Sequence, residues 1–162
     1  MLRCAAPVAG NRMAWIVLAA LVAVLSGTSA VHAQQPAAPS PFVFPGDGGV
    51  ILNFVKPDKT ADFEMVLGKL KEALAKSDKP ERKEQAAGWK IMKANEAGPN
   101  GAVIYVFLIS PAAKGAEYSV GNILVEAFGA EGQTLYKTYS DAYANPAIGA
   151  LLHLTTLLDL SK

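Results

Sequence analysis

Two runs of this chain are apolar on both faces of an extended backbone, and this limits the folds open to it. In Ala102 to Ile109, Val103, Tyr105, Phe107 and Ile109 alternate with Ile104, Val106 and Leu108. In Val50 to Val55, Val50, Leu52 and Phe54 alternate with Ile51, Asn53 and Val55. Successive side chains of a strand point to opposite faces, so each run carries two greasy faces and both need cover.

The segments around these strands predict what covers one face. Gly48-Gly49 and Pro57 bound the first strand. Thr60 is placed to cap a helix over residues 60 to 76, with Asp62 and Glu64 in its first turn. Phe63, Val66, Leu67, Leu70 and Leu74 recur at helical spacing, and Glu72 and Lys76 form an i, i+4 pair. The mixed charges of Ser77 to Gln85 read as a solvated loop. Trp89 to Ala94 reads as a short strand with Trp89 and Ile91 on one face. Residues 95 to 101 are turn formers, so this strand and the 102–109 run form an antiparallel hairpin. Ser119 can cap a second helical region in which Gly129 and Gly132 are weak points. Tyr136, Tyr139 and Tyr143 continue helical spacing as far as Asn145-Pro146, a stripe suited to a core edge or interface. The tail from Ile148 to Leu160 fits a helix or a final edge strand equally well.

The order strand, helix, strand, strand, helix and tail predicts an α+β fold. Its pattern is the ferredoxin-like βαββα(β) sheet, with two helices on one face. The other face then needs a cover. A second copy of the same sheet, giving a sheet-to-sheet homodimer, is favoured over the tail folding back across a monomer.

The N-terminus carries an address. Arg3 and Arg12 precede an apolar run from Met13 to Leu25, and small residues follow up to Val31-His32-Ala33. These are the parts of a secretory signal peptide, and the run is shorter than the ~20 residues of a spanning helix. Residues 1–33 are therefore expected to be removed, with cleavage after Ala33 or after Ala30, and the protein to be secreted or periplasmic with no membrane span left. An uncleaved signal acting as a tether is the other possibility. Residues 34–49, with four prolines from Pro36 to Pro45, read as a linker in which Phe42 and Phe44 are placed to clasp the domain at 50–162.

Export also filters the chemistry. The chain has 15 basic and 14 acidic residues, and loss of Arg3 and Arg12 leaves 13 against 14, a net charge of −1. That balance argues against a nucleic-acid partner. Cys4 is the only cysteine and leaves with the signal, so no disulfide or cysteine metal site is expected. His153 is the only histidine after cleavage, and a lone histidine among leucines is more often structural than catalytic. No metal site is expected. Gly46-Asp47-Gly48-Gly49 leads into a strand and reads as a turn, not a phosphate loop.

In its strand one with the Lys56-Pro57-Asp58-Lys59 exit, its helix from Thr60 and its Trp89 to Ile109 hairpin, the chain resembles the dimeric α+β barrel proteins over about residues 50–145. That superfamily includes antibiotic-biosynthesis-type monooxygenases and stress-responsive barrel domains. The resemblance implies a hydrophobic pocket between sheet and helices, with Asn53, Trp89 and His153 as counterparts of the asparagine, tryptophan and histidine used by cofactor-independent monooxygenases. The pocket candidates are Asn53, Trp89, Tyr105 and Phe107. The favoured expectation is an exported, non-catalytic domain, with no cofactor, that binds a small apolar ligand or an envelope partner. The alternative is a cofactor-independent monooxygenase or isomerase.

Overall fold

The computed structural model describes residues 40–160. The expected signal peptide, its expected cleavage sites and the first part of the expected linker lie outside the described residues. The elements are β1 (Gly48–Val55), α1 (Thr60–Lys76), α2 (Pro80–Gly88), β2 (Trp89–Ala97), β3 (Val103–Ile109), α3 (Val120–Phe128), α4 (Ala130–Asp141) and β4 (Tyr143–Leu154). The four strands form one sheet in the order β2-β3-β1-β4, and every adjacent pair is antiparallel. The protein is thus an α+β domain with helices packed against a four-stranded antiparallel sheet.

Register explains why one face became the core. Asn53 pairs with Tyr105 and Tyr105 with Lys93; Ile51 pairs with Phe107 and Phe107 with Ile91; Gly49 pairs with Ile109 and Ile109 with Trp89. Directly opposed residues share a face, so all of these point toward the helices. On that face Ile51, Val55, Tyr105, Phe107 and Ile109 are buried together with Phe63, Val66, Leu70 and Leu74 of α1 and Ile123 and Leu124 of α3. The opposite face carries Val50, Leu52, Ile104, Val106 and Leu108, each only partly buried, beside exposed Met92 and Leu152. Phe54 alone is closed off there, lying over Gly149 of β4, where a Cβ would come within 2.3 Å of its ring.

Several elements differ from the sequence expectation. Ser77 to Gln85 is not a loop throughout: α2 begins at Pro80, which suits a first helical turn. Its inner face is polar, Arg82 and Gln85, so no apolar stripe announced it. Thr60 does not cap α1. A 3₁₀ turn at Pro57–Lys59 leads into the helix, Lys59 holds the cap position, and the Thr60 hydroxyl donates back to the Pro57 carbonyl at 3.4 Å. β2 runs on to Ala97, which narrows the hairpin turn to residues around Pro99–Gly101, with Asn100 at φ 54°. The second helical region is two helices, because Gly129 at φ 57° sits between them in a conformation that side chains disfavour. Ser119 does cap α3, its Oγ accepting from the Asn122 N–H at 3.4 Å.

The helical spacing does not continue to Asn145-Pro146. The chain turns into β4 at Tyr143, which settles the open tail as an edge strand up to Leu154. Pairing with β1 is irregular around Asn145-Pro146, as an edge strand tolerates. Phe44 is buried against Tyr118 and His153, so the end of the expected linker does clasp the sheet.

Candidate functional site

Helix α1 crosses the sheet without covering the inner face of edge strand β2, and a cleft of about 620 Å³ opens between them. One wall is Glu64, Leu67, Gly68, Leu70, Lys71 and Leu74 of α1; the other is Trp89, Ile91 and Lys93 of β2, with Tyr105 of β3 at one end. The size falls within the range of small-molecule sites, and the lining is mainly apolar with a few convergent polar groups.

Three of those polar groups form one constellation. The Tyr105 hydroxyl donates to Glu64 Oε1 at 2.5 Å, and Lys93 Nζ donates to the same oxygen at 2.9 Å. The hydrogen bond from Tyr105, then that from Lys93, holds the Glu64 carboxyl below the usual glutamate range. Burial and then the bond to Glu64 push the Tyr105 phenol up, and the bond to Glu64 pushes the Lys93 ammonium up. Near neutral pH the carboxylate is ionised, the phenol protonated and the lysine charged. Lys71 stands two helical turns further along α1, exposed and without an ion pair among the described residues.

Gly68 lies between Glu64 and Lys71. Inside a helix, glycine costs about 1 kcal/mol relative to alanine. Packing usually explains such a residue, but a Cβ at Gly68 would meet nothing within 4 Å. The domain has no steric need for this glycine. What the missing side chain leaves behind is space in the cleft.

The candidates chosen from sequence are only partly brought together. Trp89 and Tyr105 line the cleft; Phe107 lies beneath, its ring 5.7 Å from that of Trp89. Asn53 shares their face but is enclosed. Its Nδ2 donates to the Ile51 and Tyr105 carbonyls at 3.3 Å each, and its Oδ1 accepts from the Tyr143 hydroxyl at 2.7 Å. The Tyr139 hydroxyl lies 2.5 Å from that of Tyr143, and burial raises both phenols above the usual tyrosine range.

His153 sits on edge strand β4, at the same register level as Trp89 on the other edge. Three strand spacings separate them, roughly 14 Å. The room between is filled by aromatic rings: Trp89 packs on Tyr118 at 5.2 Å, Tyr118 on Phe44 at 5.4 Å and Phe44 on His153 at 5.0 Å. Gly49 makes this possible, since a Cβ there would strike the Phe44 ring. His153 Nε2 lies 3.0 Å from the Pro41 carbonyl. Asn53, Trp89 and His153 therefore share a face without sharing a cavity.

Glu64, Lys71 and Lys93, absent from the sequence candidates, are the charged groups of the cleft. Glu64 stands three residues before Leu67 and seven before Lys71, on the flank of the α1 stripe. Such spacing places it near the core face but does not say which flank stays open. Among the described residues no group of three or more His, Cys, Asp or Glu side chains could hold a metal ion, and no helix is long and apolar enough to cross a membrane. Compared with family models, with curated proteins and with solved structures, the chain matches none.

Proposed function

We propose that this chain is an exported, non-catalytic α+β binding domain that holds a small, largely apolar molecule between α1 and β2. The observation that carries this reading is the cleft itself: an apolar lining, a polar cluster in which Tyr105 and Lys93 both donate to Glu64, and a helix glycine with no packing role. A cofactor-independent monooxygenase or isomerase, the alternative enzyme, needs an unspent base at the reacting position. Here the carboxylate is held as a weak base by two donors, and the histidine stands at the far edge of the sheet.

The experiment is a titration of small apolar molecules followed by ¹H–¹⁵N correlation spectra of the chain from Gln34, the exported form. Binding is expected to move amides of α1 between Glu64 and Ala75 together with those of Trp89 to Lys93. Shifts confined to the opposite face of the sheet, or no saturable shift, would count against the cleft.

A ferredoxin-like arrangement and a dimeric α+β barrel are part of the same proposal. The strand order β2-β3-β1-β4, with helices following β1 and β3, supports the first. The partly exposed row of Val50, Leu52, Ile104, Val106 and Leu108 supports the second, since an isologous contact between two such faces would remove both from water. Val106 lies on an inner strand of that face. In light scattering after size exclusion, the wild-type protein is expected to be a dimer at micromolar concentration and Val106→Lys a monomer. A wild-type monomer at that concentration rejects the sheet-to-sheet pair.

A further inference from the structure

We infer that the cleft ligand is a free amphipathic carboxylate, with its apolar body over Gly68 against Trp89 and its charged end at Lys71; the inference rests on the binding reading above. Three observations carry it. The charged side chains of the cleft are Glu64, Lys71 and Lys93, one acid and two bases, so the lining is net positive. Glu64 and Lys93 are engaged with each other at 2.9 Å, which leaves Lys71 as the cation without a fixed partner among the described residues. Between these two positions the wall is Leu67, Gly68 and Leu70, and the facing wall is Trp89 and Ile91, so apolar surface runs from the paired charges to the free one.

The chemistry follows from these positions. A cationic ligand would bring like charge to Lys71, and at Glu64 it would sit beside the Lys93 ammonium that already holds Oε1. A neutral ligand would gain nothing from the Lys71 charge. A carboxylate complements it at the rim, where the ammonium stays hydrated and little desolvation is needed. The bare surface at Gly68 lies one turn before Lys71 on the same helix, where the apolar body adjoining a head group at Lys71 would lie.

The test uses the full chain carrying Trp15→Phe, which leaves Trp89 as its only tryptophan. Its fluorescence is followed on titration with dodecanoate, dodecanol and dodecylamine, each as monomers. Dodecanoate is expected to saturate the signal at the lowest concentration. Lys71→Gln is expected to weaken dodecanoate by roughly three- to fivefold, the scale of an exposed ion pair, and to leave dodecanol unchanged. Gly68→Leu fills the cleft from the helix side and is expected to abolish all three responses while melting no lower than the parent. Equal binding of dodecanol, tighter binding of dodecylamine, or indifference to Lys71→Gln overturns the carboxylate assignment and leaves the cleft standing. No response to any probe, or an unchanged response in Gly68→Leu, overturns the cleft and this inference with it.

Discussion

Replacing Phe63 by alanine is expected to destabilise the domain by about 4 kcal/mol and to lower its Tm by roughly 15 °C. Phe63 is fully buried, and four rings meet its own: Tyr105 at 4.7 Å, Tyr139 stacked at 5.0 Å, Tyr143 edge-on at 5.7 Å and Phe107 at 6.5 Å. The cost combines lost transfer free energy, the cavity left behind and the loss of favourable ring pairs. Phe63→Leu should cost less than half as much, because most of the volume remains. Urea unfolding is the check: the midpoint should fall with little change in slope. A loss below about 1.5 kcal/mol would mean that the surrounding rings collapse into the gap, contrary to this packing. The site should respond as well, since Phe63 supports the Tyr105 ring at the end of the cleft.

The second large effect is expected at Arg82, the buried charge that joins α2 to α3. Its Nη1 donates to Gln85 Oε1 at 2.6 Å and to the Glu117 carbonyl at 3.2 Å, and its Nη2 donates to Glu126 Oε2 at 2.8 Å. Gln85, itself fully buried, donates from Nε2 to the same Glu117 carbonyl at 2.9 Å. Arg82→Ala strips a donor from a buried amide oxygen and a partner from Glu126, and is expected to cost about 3 kcal/mol. Lys79, 3.0 Å from Glu126, limits the damage on the solvent side.

The same network sets an acid dependence. The hydrogen bonds from Arg82, aided by Lys79, lower the Glu126 carboxyl from 4.5 to about 2. A carboxyl depressed in the folded state contributes stability that is present above its unfolded value and lost as pH falls toward its folded value. The Tm gap between wild type and Glu126→Gln should therefore be widest above about pH 5 and should close toward pH 2. A gap that stays constant across that window would remove Glu126 as the cause.

Legibility in the sequence depended on whether an element buries an apolar stripe. α1 was legible as a helix, although Lys59 and not Thr60 holds its cap, because Phe63, Val66, Leu70 and Leu74 satisfy a helical period that their burial then uses. β1 and β3 were legible from their β-branched and aromatic runs. α2 was not, since its buried side chains are Arg82 and Gln85, and they are held inside by partners 32 to 44 residues away. Tyr143 shows the opposite error. It extends the spacing of Tyr136 and Tyr139 and its ring packs on Tyr139 at 5.0 Å, yet it opens a strand. A local period cannot tell continuation of a helix from a turn that brings the next element back.

From the sequence alone came the α+β class and the strands that are apolar on both faces. These depend on residue type and short-range spacing, which local physics determines. The cleft was decided only in the tertiary structure. It exists because β3 pairs between β1 and β2, placing Trp89, Ile91 and Lys93 on an edge that α1 overhangs but does not cover. Its paired charges, Glu64 and Lys93, are 29 residues apart and meet only through that pairing. The distance from Trp89 to His153 has the same origin: strand order put them on opposite edges, and Phe44 and Tyr118 filled the space between.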